Sequence, residues 1–275
     1  AVKVGIIGGH GAMGSFFSGV FRRAGHEVAV SDLNTRLTNR DIAESSDIVV
    51  VSVPIRATVM VILEIAPYMR EEQILCDLTS LKSAPVAAML TSDAQVVGLH
   101  PMFGPSLPSL LNQTIVVSPA RIDESALQDL ISVFENEGAH IAVRTPEEHD
   151  RLMAVVQGLT HFSSLTLAEA MRGLGMNPCE MSEVTSPVYR IEMGLIGRIL
   201  GQDAGLYGDI LQKNPCVPEA LRAFSKAAAD LAEIVESGDE EAFEKFFSIN
   251  REVFEEYIPQ ATSDTDAMID RLVTK

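Results

Sequence analysis

Gly9-His10-Gly11-Ala12-Met13-Gly14 follows an apolar run at residues 2–7 and leads into a helical stretch at residues 15–24, after which a second strand-like run, 27–31, ends at Asp32. A buried strand, a tight glycine turn and a helix in that order bring free backbone N–H groups and the positive end of a helix dipole to one point, where a pyrophosphate binds. The spacing assigns Gly9 to the turn, Gly11 to close approach of the backbone to the phosphates and Gly14 to tight helix–strand packing, with Ala12 and Met13 opening the helix at the same place. Asp32 lies eighteen positions beyond Gly14. There it accepts both hydroxyls of a ribose and repels a 2′-phosphate, so NAD is the expected cofactor. Arg36 and Arg40 nearby leave NADP open.

Working outward, short apolar runs alternate with amphipathic stretches, and strands are expected at 2–7, 27–31, 47–53, 73–77, 96–99, 114–118 and 139–143. Asp47-Ile48-Val49-Val50-Val51-Ser52-Val53-Pro54 reads as a fully buried central strand whose proline marks its exit, which puts Val53 and Pro54 at the sheet edge that the cofactor crosses. The pattern changes at Thr145-Pro146-Glu147-Glu148, where Thr145 as N-cap and Glu148 three residues on form a capping box. Beyond it helices are expected near 146–172, 178–184, 187–201, 218–236 and 240–257. The expected fold class is therefore α/β: a Rossmann-type doubly wound parallel sheet over residues 1–145, then an all-helical domain over 146–275 that binds substrate and dimerises. Leu152, Met153, Val155, Val156, Leu159, Phe162, Leu165 and Leu167 cover more than one stripe of the first of these helices and predict burial on several sides. A helical domain this apolar points to a homodimer, the other reading being one large monomeric core.

The chain has 275 residues, 47% of them hydrophobic, and a formal charge of −17. That charge argues against nucleic acid or an anionic membrane as partner and requires local arginines to hold an anionic substrate. No stretch approaches the roughly 18 apolar residues of a membrane helix, and the opening strand carries no basic leader, so the expected location is cytoplasmic. Cys76, Cys179 and Cys216 are scattered, fit neither a disulfide framework nor a zinc site, and read as buried thiols. No metal is expected.

Two constellations bear on chemistry. His100 follows the short strand 96–99 and is trailed by Pro101, Gly104 and Pro105, which stiffen its loop at the carboxyl edge of the sheet. A histidine there is placed as an acid/base residue titrating near neutrality, unless it merely caps its own loop. On helix 187–201, Arg190 and Arg198 interrupt an apolar sequence about 80° apart around the axis. Their guanidinium forks match carboxylates, the alternative being ordinary ion pairs such as one with Glu192.

Gly8 to Gly14, Val51-Ser52-Val53-Pro54-Ile55, Asp77-Leu78-Thr79-Ser80-Leu81-Lys82, His100-Pro101-Met102-Phe103-Gly104-Pro105, Glu148-His149-Asp150 and Ser186-Pro187-Val188-Tyr189-Arg190 together resemble the prephenate dehydrogenase family. The resemblance is nearest to the dehydrogenase half of the bifunctional chorismate mutase/prephenate dehydrogenase. It implies NAD-dependent oxidative decarboxylation of prephenate to 4-hydroxyphenylpyruvate in tyrosine biosynthesis, tyrosine as a feedback inhibitor, and either a free-standing enzyme or a domain normally fused to chorismate mutase. By the same resemblance His100 accepts the proton of the ring hydroxyl, Ser80 hydrogen-bonds near His100 or that hydroxyl, and Lys82 lies at the pocket edge. Arg198 binds a substrate carboxylate, Arg190 supports it, and His161 faces the substrate unless it is a core histidine. Many members carry Asp or Glu after the histidine stretch, where this chain has Ser106; that favours the keto side chain of prephenate over the amine of arogenate.

Rival readings are an arogenate dehydrogenase, a β-hydroxyacid dehydrogenase and a non-catalytic NAD-binding sensor. β-Hydroxyacid dehydrogenases use a lysine on the first helix of the second domain, and residues 145–211 contain none. A sensor needs neither His100 nor a carboxylate clamp.

Overall fold

β1 (Lys3–Ile7) has no polar face: Val4 and Ile6 enter one hydrophobic cluster and Ile7 enters another across the sheet. β3 (Ile48–Val51) divides in the same way, Ile48 and Val50 on one side, Val49 and Val51 on the other. Strands buried on both faces need helices on both faces. α1 (Ala12–Arg23) and α5 (Glu124–Glu135) cover one side through Phe17, Phe21 and Phe134. α2 (Asn39–Ser45), α3 (Ile55–Ile65) and α4 (Ser83–Met89) cover the other through Ile42, Ile62 and Met89. Each such fully buried side chain contributes roughly 1.5–3 kcal/mol.

With β2 (Glu27–Ser31), β4 (Ile74–Asp77), β5 (Gln95–Pro101), β6 (Thr114–Arg121) and β7 (His140–Val143), the sheet has seven strands in the order β2-β1-β3-β4-β5-β6-β7. All seven expected strands form in this computed structural model, which describes residues 1–274. One pairing corrects the parallel expectation: β5 and β6 are antiparallel. The link between them, residues 102–113, carries Pro105 and Pro108 and holds no helix, and without a crossover the chain cannot return parallel.

The chain divides into two compact units, Ala1–Ala154 with Gly208–Cys216, and Val155–Tyr207 with the residues from Val217 onward. α6 (Pro146–Met153) therefore folds with the sheet, opened by the expected capping box: Glu148 N donates to Thr145 Oγ1 at 3.1 Å and Thr145 N donates to Glu148 Oε2 at 3.0 Å. Part of α10 (Ala204–Lys213) and the residues after it join the same unit. Arg56 Nε donates to Asp209 Oδ2 at 3.1 Å, and Asn214 Nδ2 donates to the backbone oxygen of Asp150 at 2.9 Å.

The second unit is helical throughout its described residues: α7 (Thr160–Gly173), α8 (Pro178–Met181), α9 (Pro187–Leu200), α11 (Val217–Ser237), α12 (Glu240–Phe254) and α13 (Ile258–Val273), together with the start of α10. The single helix expected at 146–172 is interrupted by a π-helical segment, Ala154–Leu159, and α10 and α13 were not expected. Burial on several sides is also corrected: Met153 is buried, but Leu152, Val155, Val156 and Leu167 are 44–53% exposed because the chain's own helices do not cover that face. Of the thiols, Cys76 is buried, Cys216 half-buried and Cys179 exposed, the last contrary to expectation. Among the described residues no helix is long and apolar enough to cross a membrane, and no group of His, Cys, Asp and Glu is arranged to hold a metal.

Candidate active site

The glycine turn leaves β1 at Gly8, which has φ +81°, so the left-handed residue is Gly8 and not Gly9. Gly9 is required for a different reason: a Cβ there would sit 2.5 Å from Val30 on β2. Both amides donate to Ser31 O, at 2.8 and 3.1 Å. Gly11 is the N-cap of α1 and provides no capping side chain, so the first amides of the helix, those of Ala12, Met13 and Gly14, face outward from an uncapped N-terminus. A Cβ on Gly14 would lie 2.3 Å from Gly8 O and 2.9 Å from Gly9 Cα, both backbone. Gly14→Ala is expected to cost about 1–3 kcal/mol and to weaken nucleotide binding about tenfold or more, read by thermal melting and dinucleotide titration. An unchanged melting curve and affinity would remove Gly14 from the turn's packing.

Asp32 leaves β2 beside this turn, its Oδ2 accepting from His10 N at 3.0 Å and its Oδ1 from Leu33 N at 2.8 Å. Two amides thus aim the carboxylate and leave it acceptor capacity for hydroxyls. Arg40 is committed elsewhere, to Glu44 at 2.8 Å and over the Tyr68 ring at 4.3 Å. Arg36 is exposed and forms no ion pair among the described residues. Val53 borders the turn, and Pro54 caps α3. This cradle, shaped by absent Cβ atoms and closed by a carboxylate, fits a dinucleotide.

β1, β3, β4 and β5 are parallel, so Gly8, Val53, Ser80 and His100 all sit at their carboxyl ends. Phe103 from the loop after β5 meets Phe16 of α1 at 5.5 Å between ring centroids, tying the His100 loop to the dinucleotide helix. His100 is 3% exposed, and its Nδ1 lies 2.7 Å from His149 Nε2. His149 Nδ1 in turn lies 2.8 Å from Asp150 Oδ1. The Asp150 carboxylate also accepts from Lys82 N at 2.8 Å and Ser83 N at 3.0 Å. Burial raises the Asp150 carboxyl, but hydrogen bonds from His149, Ser83 and Lys82 outweigh that and hold it below the ordinary carboxylate value. Burial foremost, then His149 and the Lys82 ammonium, push His100 well below the ordinary imidazole value, with Asp150 opposing.

One expectation needs correcting here. Lys82 is not at a pocket edge: its side chain is wholly buried, the ammonium pairs with Asp77, and the stem runs where Gly98 has no side chain. Ser80 is half-buried and makes no hydrogen bond to His100 among the described residues, which leaves the substrate hydroxyl as its other expected partner. The His149–Asp150 pair carried no assigned role in the sequence. Its signal was a His-Asp dipeptide directly after a capping box, with both residues on the inward face of α6.

In the second unit α7 and α9 pack together. Arg190 and Arg198 are exposed on α9 and neither forms an ion pair among the described residues, so the Glu192 alternative is absent. Arg190 lines a cavity of about 440 Å³ with Met171, Tyr189 and Met193. His161 on α7 is half-buried, its ring edge-on to Tyr207 at 4.8 Å, and burial lowers its pKa.

Residues 21–143 match the model of the prephenate dehydrogenase nucleotide-binding domain, and residues 145–249 that of the prephenate dehydrogenase dimerization domain. A probable arogenate/prephenate dehydrogenase of Methanocaldococcus jannaschii is 36% identical over 89% of this chain and 59% of its own length, so the chain spans well under two thirds of that relative. The T-protein of Haemophilus influenzae is 31% identical over 97% of this chain and 71% of its own length. The fold is shared with a prephenate dehydrogenase from A. aeolicus solved with hydroxyphenyl propionate and NAD+, at a TM-score of 0.74 and 23% identity over 93% of this chain and 98% of that one. A dinucleotide turn, a buried histidine at the same sheet edge and both domain matches along one chain place it in the prephenate dehydrogenase family.

Proposed function

We propose that the chain oxidises prephenate with NAD, releasing 4-hydroxyphenylpyruvate, carbon dioxide and NADH. The observation that carries this reading is His100, a buried imidazole kept neutral at the carboxyl edge of the sheet beside the dinucleotide turn. When bound, the nicotinamide supplies the hydride acceptor. His100 takes the proton of the ring hydroxyl as hydride leaves the same carbon, the C–O bond becomes a carbonyl, and the electron pair of the ring-to-carboxylate bond aromatises the ring as carbon dioxide departs. Burial at His100 keeps bulk water from competing for that proton. Arg198, without an ion pair among the described residues of a chain of net charge −17, holds a substrate carboxylate with Arg190 in support.

Asp32 and the commitment of Arg40 to Glu44 and Tyr68 favour NAD over NADP. Ser106, without a carboxylate to meet an amine, favours prephenate over arogenate. The exposed apolar faces of the second unit, including Val155, Val156 and Leu167, support self-association through the segment that matches the dimerization-domain model. The test is NADH formation at 340 nm with each substrate and each nucleotide. Prephenate with NAD is expected to give the highest kcat/KM; a higher value with arogenate would replace the substrate, and silence with both would remove the dehydrogenase reading.

A further inference from the structure

We infer that His149 and Asp150 are positioning residues that fix His100 in one tautomer, with its proton on Nδ1 and its lone pair on Nε2. The inference deepens the dehydrogenase reading and, for its kinetic part, rests on it.

With one proton on the His149 ring, the chain of assignments runs outward from its buried end. An ionised carboxylate only accepts. Asp150 Oδ1 accepts from Lys82 N and Oδ2 from Ser83 N, so its bond to His149 Nδ1, at 2.8 Å, has the histidine as donor. A His149 that carries a single ring proton, held on Nδ1 by that carboxylate, presents a bare Nε2, an acceptor. The 2.7 Å contact between that atom and His100 Nδ1 then has His100 as donor. A neutral His100 that donates from Nδ1 is bare at Nε2, the only ring atom left to take a proton.

The arrangement is built to stay put. His149 and Asp150 are each 1% exposed, and Asn214 Nδ2 grips the Asp150 backbone oxygen at 2.9 Å. The Asp150 carboxylate spans the two amides that open α4, so the acceptor is fixed by backbone and not by a mobile side chain. The charged and titratable groups around His100 are His149 and Asp150 on α6 and Lys82 ahead of α4, with Asp77 of β4 behind Lys82. When His100 takes the substrate proton at Nε2 it becomes an imidazolium whose Nδ1–H still points to His149. His149 in turn donates to a carboxylate, so the developing positive charge meets acceptors along the whole line.

The decisive experiment pairs ring-nitrogen NMR with kinetics on the whole chain, comparing wild type, His149→Phe and His149→Gln. In wild type His100 is expected to show a protonated Nδ1 and a bare Nε2, a readout that needs no turnover. Losing a tautomer-fixing carboxylate in a hydrolytic triad costs about 10⁴-fold in kcat; one ring further from the base, His149→Phe is expected to lower kcat about 10²-fold. Prephenate KM should stay within about threefold, and the His100 signals should become a tautomer mixture. His149→Gln, whose amide oxygen can accept from Nδ1–H, is expected to recover about tenfold of the loss.

A proton on His100 Nε2 in wild type overturns the inference, and so does full kcat in His149→Phe. Equal kcat losses in the Phe and Gln variants would reduce His149 to packing and also overturn it. If His149→Phe does not fold, the wild-type spectrum and the Gln variant decide. A wild type inert toward prephenate and arogenate, with His100 bare at Nε2, sinks the dehydrogenase reading and leaves the tautomer assignment standing.

Discussion

His100→Asn is expected to lower kcat about 10²–10⁴-fold, the range that a positioned general base contributes, while dinucleotide affinity stays within about twofold. The asymmetry follows from where the side chains act. Asp32, Gly8 and the uncapped start of α1 make the nucleotide cradle, and none of them touches the imidazole. Asparagine preserves the fold because its amide N–H₂ can still donate to His149 Nε2 in place of His100 Nδ1. What it lacks is a nitrogen lone pair able to bind the hydroxyl proton. The measurement is steady-state NADH formation beside a dinucleotide titration of the same preparation. Turnover within about threefold of wild type would remove His100 as the base; loss of both turnover and nucleotide affinity would make it structural.

The pH behaviour has a definite sign. His100 is held neutral in the fold below its ordinary value of 6.5, so between the two values the unfolded chain binds the extra proton. Stability conferred by burying the neutral ring is present above 6.5 and is lost as pH falls below it. The carboxyl of Asp150 adds to the same trend, its stabilisation being lost as pH falls toward its depressed folded value. With His100 as the proposed base, the acid limb of activity is expected below the usual imidazole range, because the ring remains neutral there.

What the sequence made legible was whatever repeats with a fixed period or needs a particular backbone. The two-sided burial of β1 and β3 shows as unbroken apolar runs, and the α6 capping box shows as Thr145 and Glu148. Direction of pairing has no such period, so the antiparallel β6 is not legible in its own residues and follows from the helix-free link before it. Lys82 misled for a related reason: a lysine in a polar motif reads as surface, and only the space above Gly98 and a buried Asp77 partner turn it inward. His149 and Asp150 meet Lys82 and Ser83 across 67 or 68 positions of sequence, a contact no local pattern announces. The apolar excess over residues 152–167 is legible as composition, but burial depends on what packs against it, and Leu152, Val155, Val156 and Leu167 stay exposed.

Lys82→Met is expected to destabilise the fold by about 3–5 kcal/mol, the cost of leaving one member of a buried ion pair alone. The ammonium and the Asp77 carboxylate are both fully buried, and among the described residues Asp77 Oδ1 already lacks a hydrogen-bond partner. Methionine nearly matches the lysine stem beside Gly98, so packing is kept and the stranded carboxylate dominates the loss. Removing Asp77 as well, as Lys82→Met with Asp77→Leu, is expected to recover much of the deficit, since an apolar pair of similar volume avoids desolvating two charges. Urea unfolding of the single and double variants measures both. The same substitution removes a cation that keeps His100 neutral, so the acid limb of activity should move to higher pH in Lys82→Met. A single variant that loses under about 1 kcal/mol would place the ammonium in water, and an unmoved acid limb would separate Lys82 from His100.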